Sequence, residues 1–343
     1  MELKKIEEVG DFTTVLLIAE NLTEDVDFYT NLGFRLDNIF PDDDPAVAIM
    51  SGYDIQVRLD KRVGQGTALT ALPNTEEVNF SPTQHKFEVR KLQDNEPWVI
   101  GRAGMLYRDL LPDRLGGSII ASHIRIPKGG PVPDMVHYHT IGFQLIFCYC
   151  GWVKLVYEDQ GPPFILKAGD CVTQPPQIRH RVLEASDNLE VIEIGVPAEH
   201  MTTIDHDMEL PTQEYLPNRD FQGQRFCHHA LKDATWKPWK INGFEFRDTG
   251  IGVATAGMAN VHVARSSDID GDAQLISHDA DILFTFVMNG EMELSAGEQK
   301  PLILHKGDAF VIPPQMKHQF SNWSKELELL EVSLPGNYST THH

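Results

Sequence analysis

Cysteine and long apolar segments are both scarce in this chain of 343 residues. Its four cysteines show no CxxC spacing, which argues against a disulfide framework or a thiolate zinc site and favours reduced thiols. No stretch approaches the roughly 18 uncharged apolar residues that a membrane-spanning helix needs. The opening segment, MELKKIEE, lacks the apolar core of a secretory signal, so we expect a cytoplasmic protein.

Positive charge is scarce as well. The 29 lysines and arginines are outnumbered by 50 aspartates and glutamates, which gives a formal net charge of -21. Nucleic acids and anionic membranes are bound through clusters of cationic side chains, so this balance argues against both as partners. Hydrophobic residues make up 41% of the chain and charged residues 23%, as in a globular protein with two or three domains.

Residues 12–60 differ from the rest of the chain. A β-rich apolar run at 13–19 is followed by Asn21, a candidate helix N-cap. Apolar residues then recur at helical spacing up to Gly33, which stands where a C-cap glycine belongs. Three further β-type segments follow, at 34–40, 46–50 and 55–59. The pattern predicts a small βαβββ module.

This order, with the phrase DFYTNLGF at 27–34, resembles one module of the glyoxalase/bleomycin-resistance (vicinal oxygen chelate) superfamily. The resemblance implies metal sites made by two such modules, with ligands on the first and last strands. Here one module is found, its first strand has no His, Gln or Glu, and its last strand offers Gln56 but no Glu. We therefore expect residues 1–62 to be structural, and the single copy leaves pairing across a homodimer open.

The rest of the chain contains an internal repeat. Residues 63–82 are polar and rich in Gly, Thr, Pro and Asn, which is typical of a linker. From about residue 83, short alternating strands with Gly/Pro turns indicate an all-β sandwich or barrel. The segment GDCVTQPPQIRH at 169–180 recurs as GDAFVIPPQMKH at 307–318. Two copies of one β fold explain this agreement.

The first copy carries histidines whose spacing suits a metal. His137 and His139 are two residues apart, and such residues point to the same face of a strand, so their imidazoles aim at one point. The turn at Pro175-Pro176 can bring His180 to that point from a neighbouring strand. Three inward-facing imidazoles suit Fe, Mn, Ni, Cu or Zn.

The HxH pair, Gln144 and Gly151, followed by the G…P…H segment ending at His180, resemble the two signature motifs of the cupin superfamily. The resemblance implies a mainly β chain with two tandem jelly-roll barrels and a divalent transition metal in the mouth of the first. The implied metal ligands are His137, His139, His180 and, as the fourth, Gln144. The implied division of the chain is a βαβββ module (1–62), a linker (63–82), a metal-binding first barrel (83–203) and a second barrel with a degraded site (204–343).

Gln144 stands where cupins usually have a glutamate. Its carbonyl oxygen can ligate the metal, or the side chain can turn away from a three-histidine site and orient substrate or oxygen. In both cases the ligand set is neutral and the metal keeps its +2 charge, which favours an anionic bidentate ligand such as an enolate, catecholate or carboxylate. The exchange also removes the most obvious general base, and Gln144 itself becomes the candidate catalytic residue.

The second copy of the repeat lacks some of the residues that form this candidate metal site. Alignment of the repeats places Ile276 and His278 opposite the HxH pair and Leu283 opposite Gln144, while His318 keeps its place. Catalytic metal sites normally have three protein ligands. We therefore expect a structural second barrel, with a weak metal site at His278 and His318 as the alternative.

Strand alternation gives expectations for the surroundings of the first site. Ile124 and Ile126 share one face of their strand and should face the barrel core, whereas His123 and Arg125 share the other face. We expect His123 to lie at an interface. We expect Phe143 to form part of the pocket wall.

Three functions are compatible with these motifs. The leading hypothesis is a metal-dependent enzyme, a non-haem iron dioxygenase acting on a small anionic or enolisable substrate, because cupins with three-histidine iron sites include such enzymes. Fe(II) is then the favoured metal, with Zn, Mn or Ni as alternatives. The second hypothesis is a metal-dependent isomerase, decarboxylase or lyase, and the sequence does not separate it from the first. The third is a non-catalytic bicupin binding protein.

Overall fold

The computed structural model describes residues 4–9, 12–41, 43–63, 72–94, 98–101, 104–267 and 273–343. Over these ranges the chain is mainly β, with two tandem jelly-roll barrels, and the predicted fold class is confirmed. Part of the expected linker, residues 64–71, lies outside the described residues, and residues 72–82 carry no helix or strand. Among the described helices, none has the length and apolar character needed to cross a bilayer.

The N-terminal module has the predicted order of elements, preceded by strand β1 (Lys4–Val9). Its other elements are β2 (Phe12–Ile18), helix α1 (Leu22–Asn31), β3 (Arg35–Phe40), β4 (Val47–Gly52) and β5 (Ile55–Asp60). The Asn21 side chain caps α1 by accepting a hydrogen bond from the Glu24 backbone N–H. Apolar residues of α1 pack on the sheet over Leu17, Met50 and Leu59. The resemblance to the vicinal oxygen chelate superfamily stays a prediction.

Short strands make up the two barrels, as the turn-rich repeat predicts. A first strand, β6 (Glu88–Arg90), precedes the first barrel. The next strands are β7 (Val99–Ile100), β8 (Leu106–Asp109), β9 (Ile120–Ile126), β10 (Gly130–Pro131), β11 (His137–His139), β12 (Phe143–Cys150), β13 (Trp152–Tyr157), β14 (Phe164–Lys167), β15 (Cys171–Thr173), β16 (His180–Ala185), β17 (Leu189–Val196) and β18 (Thr202–Ile204).

The second half of the chain repeats this series. Its strands are β19 (Cys227–His229), β20 (Trp236–Pro238), β21 (Phe244–Asp248), β22 (Asn260–Ser266), β23 (Ile276–His278), β24 (Ile282–Asn289), β25 (Glu291–Ala296), β26 (Leu302–His305), β27 (Ala309–Val311), β28 (His318–Ser321), β29 (Glu328–Leu334) and β30 (Thr340–His342). Short helical segments lie at Arg114–Gly117, Leu231–Asp233 and Ile251–Ala254.

Each barrel is a sandwich of two sheets. In the first barrel the sheet β19-β15-β12-β17-β9-β8-β7 faces the strands β18-β11-β16-β13-β14. The latter sheet continues through the pairing of β18 with β3 into the N-terminal module. In the second barrel β20-β21-β22-β29-β24-β27-β6 faces β26-β25-β28-β23-β30. The module therefore extends the sheet that contains β11, the strand with the HxH pair.

The two barrels share one hydrophobic core. Buried residues on one face of β12 and β17 in the first barrel, such as Phe147 and Ile194, pack in the same cluster as Phe284, Phe286 and Val332 from β24 and β29 in the second. The interiors of the two barrels form separate clusters. The interface between the barrels is therefore as closely packed as a domain core.

Strands are exchanged between the barrels. β6 precedes the first barrel in the chain but pairs with β27 of the second, and β19 follows the first barrel and pairs with its β15. The repeated Gly-Asp motif holds both exchanged segments, because Asp308 accepts the backbone N–H of Leu92 and Asp170 accepts that of Leu231. Two strands thus cross the expected boundary at residues 203 and 204, and the division into domains stays a prediction.

Two buried arginines link the barrels through the same motif. Arg108 of the first barrel donates to the Gly307 carbonyl, and Arg247 of the second donates to the Gly169 carbonyl. Burial lowers the pKa of Arg108 to about 10, which still leaves the guanidinium protonated near neutral pH. Each barrel therefore holds the turn of the other by a charge-assisted hydrogen bond.

The interior of the second barrel contains an ion pair. Lys240 donates to Glu331, whose carboxylate also accepts from the Tyr338 hydroxyl at 2.9 Å. The side chains of Lys240 and Glu331 are only 15% and 3% exposed. Burial alone would raise the pKa of Glu331, but the Lys240 ammonium holds it below its usual value, so the carboxylate is ionised.

Removal of one partner of this pair should destabilise the protein strongly, because the other charge would remain buried. We expect Lys240→Met to lower the free energy of unfolding by about 3–5 kcal/mol, measured by urea denaturation. The double variant Lys240→Met, Glu331→Gln should recover part of that loss. The control is Arg265→Met, which breaks the more exposed pair with Glu245 and should cost below about 1 kcal/mol. Equal small losses for both single variants would contradict the assignment of a buried ion pair.

Candidate metal centre

The structure brings together the three histidines that the sequence predicts as ligands. His137 and His139 lie on β11, and His180 begins β16, where it pairs directly with His137. One ring nitrogen from each lies within 4.8 Å of those of the other two, and all three side chains are buried. The alternation of β11 sends Tyr138 to the opposite face, where it stacks on Arg179.

Hydrogen bonds at Nδ1 determine which nitrogen of each ring can bind a cation. Nδ1 of His137 lies 2.8 Å from the Met135 carbonyl, and Nδ1 of His180 lies 2.9 Å from the Ile178 carbonyl. A carbonyl only accepts, so both rings carry their proton on Nδ1 when neutral, and the lone pair is on Nε2. This is the arrangement typical of metal-ligating histidines, in which the second nitrogen is held by an outer hydrogen bond.

Two further groups orient the histidines. Nδ1 of His139 lies 3.0 Å from the Thr202 hydroxyl on β18. The Asp134 carboxylate stands 3.6 Å from Nδ1 of His137 and is itself fixed by the Val182 backbone N–H. A carboxylate behind an imidazole increases the basicity of that ligand. β18 joins β11 to the N-terminal module, so the module's sheet contributes to the support of His139.

A cavity of about 70 Å³ adjoins the histidines, with His139 and His180 in its wall. Most of the wall is apolar, and Ile124 and Ile126 contribute to it as their alternation predicts. The polar side chains in the wall besides the histidines come from four strands or turns: Gln144, Tyr157, Gln174 and Glu193. No lysine or arginine lies among the described residues of this wall.

Gln144 lies in this wall, on β12. Its amide nitrogen donates to Glu193 Oε1 at 2.5 Å, and its own Oε1 is buried without a hydrogen-bond partner among the described residues. The carbonyl oxygen is the atom with which a glutamine ligates a metal. Ligation of a metal by Gln144 stays a prediction. The hydrogen bond from its amide nitrogen to Glu193 fixes the orientation of the side-chain amide.

Glu193 was not predicted from the sequence. It lies on β17 and brings a carboxylate into a cavity whose usual glutamate has been replaced by Gln144. The repeat contained a signal for it: Glu193 comes thirteen residues after His180, and Glu331 comes thirteen residues after His318. Extending the repeat beyond its histidine would have identified both carboxylates.

Tyr157 is a second residue that the sequence reasoning missed. It ends β13 opposite His180, and the two rings stack with centroids 5.6 Å apart. Burial, and less strongly the charge of Glu193, raise the pKa of Tyr157 above its usual range, so its hydroxyl stays protonated. This hydroxyl is buried and has no hydrogen-bond partner in the described part of the chain.

Two expectations about neighbouring residues have different outcomes. His123 lies at the barrel interface as expected, in ring contact with Tyr149 and Phe286 and 2.8 Å from Glu190. The expectation that Phe143 forms part of the pocket wall is wrong. Phe143 packs in the core between the barrels, because adjacent residues of β12 face opposite sides and Gln144 faces the cavity.

The corresponding histidines of the second barrel are arranged differently. His278 uses Nε2, not Nδ1, to contact a carbonyl, that of Ile312 at 3.0 Å, and its ring centroid is 5.9 Å from that of His318. Burial lowers the pKa of His318 to about 4, with a contribution from the Lys240 ammonium. Within the described ranges no third histidine, cysteine or carboxylate completes a ligand cluster here. The structural role of this barrel stays a prediction.

The residues of the first barrel fit a divalent transition metal by composition and by hydrogen bonding. Three buried imidazoles converge, two of them with Nε2 fixed as the unprotonated nitrogen, and the buried Gln144 oxygen has no hydrogen bond among the described residues that would compete with metal binding. Such a set of neutral nitrogen donors accepts several first-row metals, so the geometry does not select one of them.

Comparisons with known proteins agree with this description. Residues 269–333 match the family model described as "Cupin domain". The fold resembles a salicylate 1,2-dioxygenase from Pseudaminobacter salicylatoxidans, with 14% identity, a TM-score of 0.55, and coverage of 77% of this chain and 90% of that one.

Oxalate decarboxylases are also similar in fold. A variant of the Bacillus subtilis enzyme has 13% identity and a TM-score of 0.52, over 79% of this chain and 81% of that one. The Lactobacillus farciminis enzyme has 14% identity and a TM-score of 0.51, over 79% and 90%. No curated protein matches the sequence. The chain thus has the two-barrel cupin fold, and its second barrel carries the sequence pattern of a cupin domain.

Proposed function

We propose that this chain is a metal-dependent cupin enzyme with its site in the first barrel, and specifically a non-haem iron dioxygenase for a small anionic or enolisable substrate. The observation that carries the proposal is the buried cluster of His137, His139 and His180 beside an apolar cavity. Bound Fe(II) would relay electrons from the substrate to O₂. Zn, Mn or Ni are the alternative metals, and Zn, which has no redox chemistry, would suit only a non-oxidative reaction. Three protein ligands leave positions for substrate and oxygen.

The surrounding residues would carry out the remaining tasks. The apolar wall, including Ile146 and Val191, excludes water from the substrate. Gln144 is the candidate catalytic side chain, because its amide is fixed by Glu193 and its oxygen faces the cavity without another partner among the described residues. It would orient the substrate or ligate the metal.

Glu193 favours a second candidate, a metal-dependent decarboxylase, isomerase or lyase. Those reactions need a group that takes or gives a proton beside the metal, and the carboxylate of Glu193 lines the same cavity as His139 and His180. The similarity in fold to a dioxygenase and to decarboxylases is compatible with both candidates.

The metal site itself can be tested by elemental analysis of protein purified without a metal-affinity column. We expect about one transition metal per chain in the wild type and none in His180→Ala, because two imidazoles hold a metal far less tightly than three. His318→Ala removes the repeat counterpart of His180 and is the matched control, with metal content unchanged. Equal loss of metal in both variants would contradict a single site in the first barrel.

The reaction class can be tested by oxygen uptake of the iron-loaded protein with catechols, β-dicarbonyls and hydroxyaromatic acids. We expect the wild type to consume O₂ in an amount equal to the substrate lost, and His180→Ala to consume neither. Under nitrogen we expect no loss of substrate. Turnover that continues without oxygen would refute the dioxygenase assignment and favour the second candidate. In that case Glu193→Gln should abolish turnover while the metal content stays the same.

A further inference from the structure

Two positions that line the cavity of the first barrel carry polar side chains there and apolar side chains in the second barrel. Tyr157 pairs with His180, and Ala296 occupies the same position opposite His318. Gln174 comes five residues after the glycine of the repeated motif, where the second copy has Ile312. Both barrels fold, so packing alone does not demand a polar side chain at either position.

The polar groups at these positions lack protein partners. The Tyr157 side chain is 1% exposed and that of Gln174 is 3% exposed. The Tyr157 hydroxyl and Gln174 Oε1 are both buried without a hydrogen-bond partner in the described part of the chain. An unsatisfied buried polar group destabilises a folded protein, so its presence calls for a ligand that satisfies it.

Both groups belong to the cavity at the histidines. The Tyr157 ring is held between Phe226, at a centroid distance of 4.6 Å, and His180. The backbone of Gln174 is fixed by its N–H, which donates to the Gln144 carbonyl at 2.9 Å. The cavity therefore presents one hydroxyl donor and one amide acceptor near His139 and His180.

The remainder of the cavity wall limits the charge of a ligand. Its other members are largely aliphatic, for example Val153, Leu155 and Val182, and Glu193 is the acidic residue among them. A ligand with a charged group away from the metal would find no lysine or arginine among the described residues of the wall to neutralise it.

We infer that Tyr157 and Gln174 form a substrate-recognition subsite that selects a small, uncharged, enolisable molecule with an apolar body. One of its chelating oxygens accepts from the Tyr157 hydroxyl, and a hydroxyl group outside the chelate donates to Gln174 Oε1, because an enol that chelates a metal has lost its proton. The inference rests on the proposed function, because it places the chelating oxygens of the molecule at the histidines. The volume of about 70 Å³ accommodates about five to seven water-sized groups, which suits a compound of the size of a five-carbon diketone.

The test uses three probes: acetylacetone as an uncharged enolisable diketone, 1-hydroxypentane-2,4-dione as the same diketone with a hydroxyl group outside the chelate, and oxalate as a dianion without an apolar body. Binding to the full-length metal-loaded protein is measured by calorimetry under nitrogen. We expect both diketones to bind more tightly than oxalate. Tyr157→Phe should weaken the binding of both diketones, and Gln174→Ile that of the hydroxylated diketone alone, by about three- to tenfold at unchanged metal content. Tighter binding of oxalate overturns the substrate class, and unchanged binding of the hydroxylated diketone in both variants overturns the subsite.

A stability measurement separates this inference from the proposed function. Because Tyr157→Phe and Gln174→Ile remove unsatisfied groups, both variants should be at least as stable to urea as the wild type. Tyr149→Phe is the matched control, since its hydroxyl donates to the Met288 carbonyl at 2.8 Å in the barrel interface. It should lose stability and keep acetylacetone binding. If the wild type holds no metal, the proposed function fails, and a loss of stability in Tyr157→Phe and Gln174→Ile would still overturn the subsite.

Discussion

The alternation of side chains along β12 and β17 connects the barrel interface to the cavity. On β12, Leu145 and Phe147 pack in the core shared by the two barrels, while Gln144 and Ile146 between them line the cavity. A shift of register by one residue would exchange the two faces, placing polar groups in the shared core and aromatic rings at the histidines. The packing of the second barrel against the first therefore determines which side chains of β12 reach the site. The same holds for β17, where Ile194 belongs to the interface and Glu193 to the cavity.

Both barrels place a glutamate at the same point of the repeat, in different surroundings. In the second barrel the Lys240 ammonium pairs with Glu331, with His278 and His318 close enough for the ammonium to lower their pKa values in addition to burial. In the first barrel the partly buried Glu193 accepts from the Gln144 amide and lines the same cavity as His139 and His180. The same backbone position thus places a carboxylate in an ion pair in one barrel and beside the candidate metal site in the other.

The sequence could predict those features that depend on local spacing. The HxH pair, the turn before His180 and the order of the N-terminal elements follow from strand and helix periods within a few residues. The exchange of β6 and β19 could not be predicted in this way, because pairing between strands more than 50 residues apart leaves no local pattern. The misplacement of Phe143 has a different cause. Adjacent side chains of a strand face opposite sides, so the side chain of Phe143 must face away from Gln144 and the cavity. The polar subsite was missed since its members are scattered over β13 and the turn after β15.

The match to the cupin family model falls in the second barrel, whereas the candidate site lies in the first. The two barrels also differ in how well their buried polar atoms are satisfied. The first cavity keeps Gln144, Gln174 and Tyr157, each with a buried polar atom that has no partner among the described residues, and each such atom costs roughly 1–3 kcal/mol of stability. The second barrel has apolar residues at these three positions and a paired charge, so its core carries no comparable cost there. Because the barrels share a core and exchange strands, the stability of the second can offset the strain of the first. A barrel with an open cavity and unsatisfied polar groups can thus persist as part of a pair.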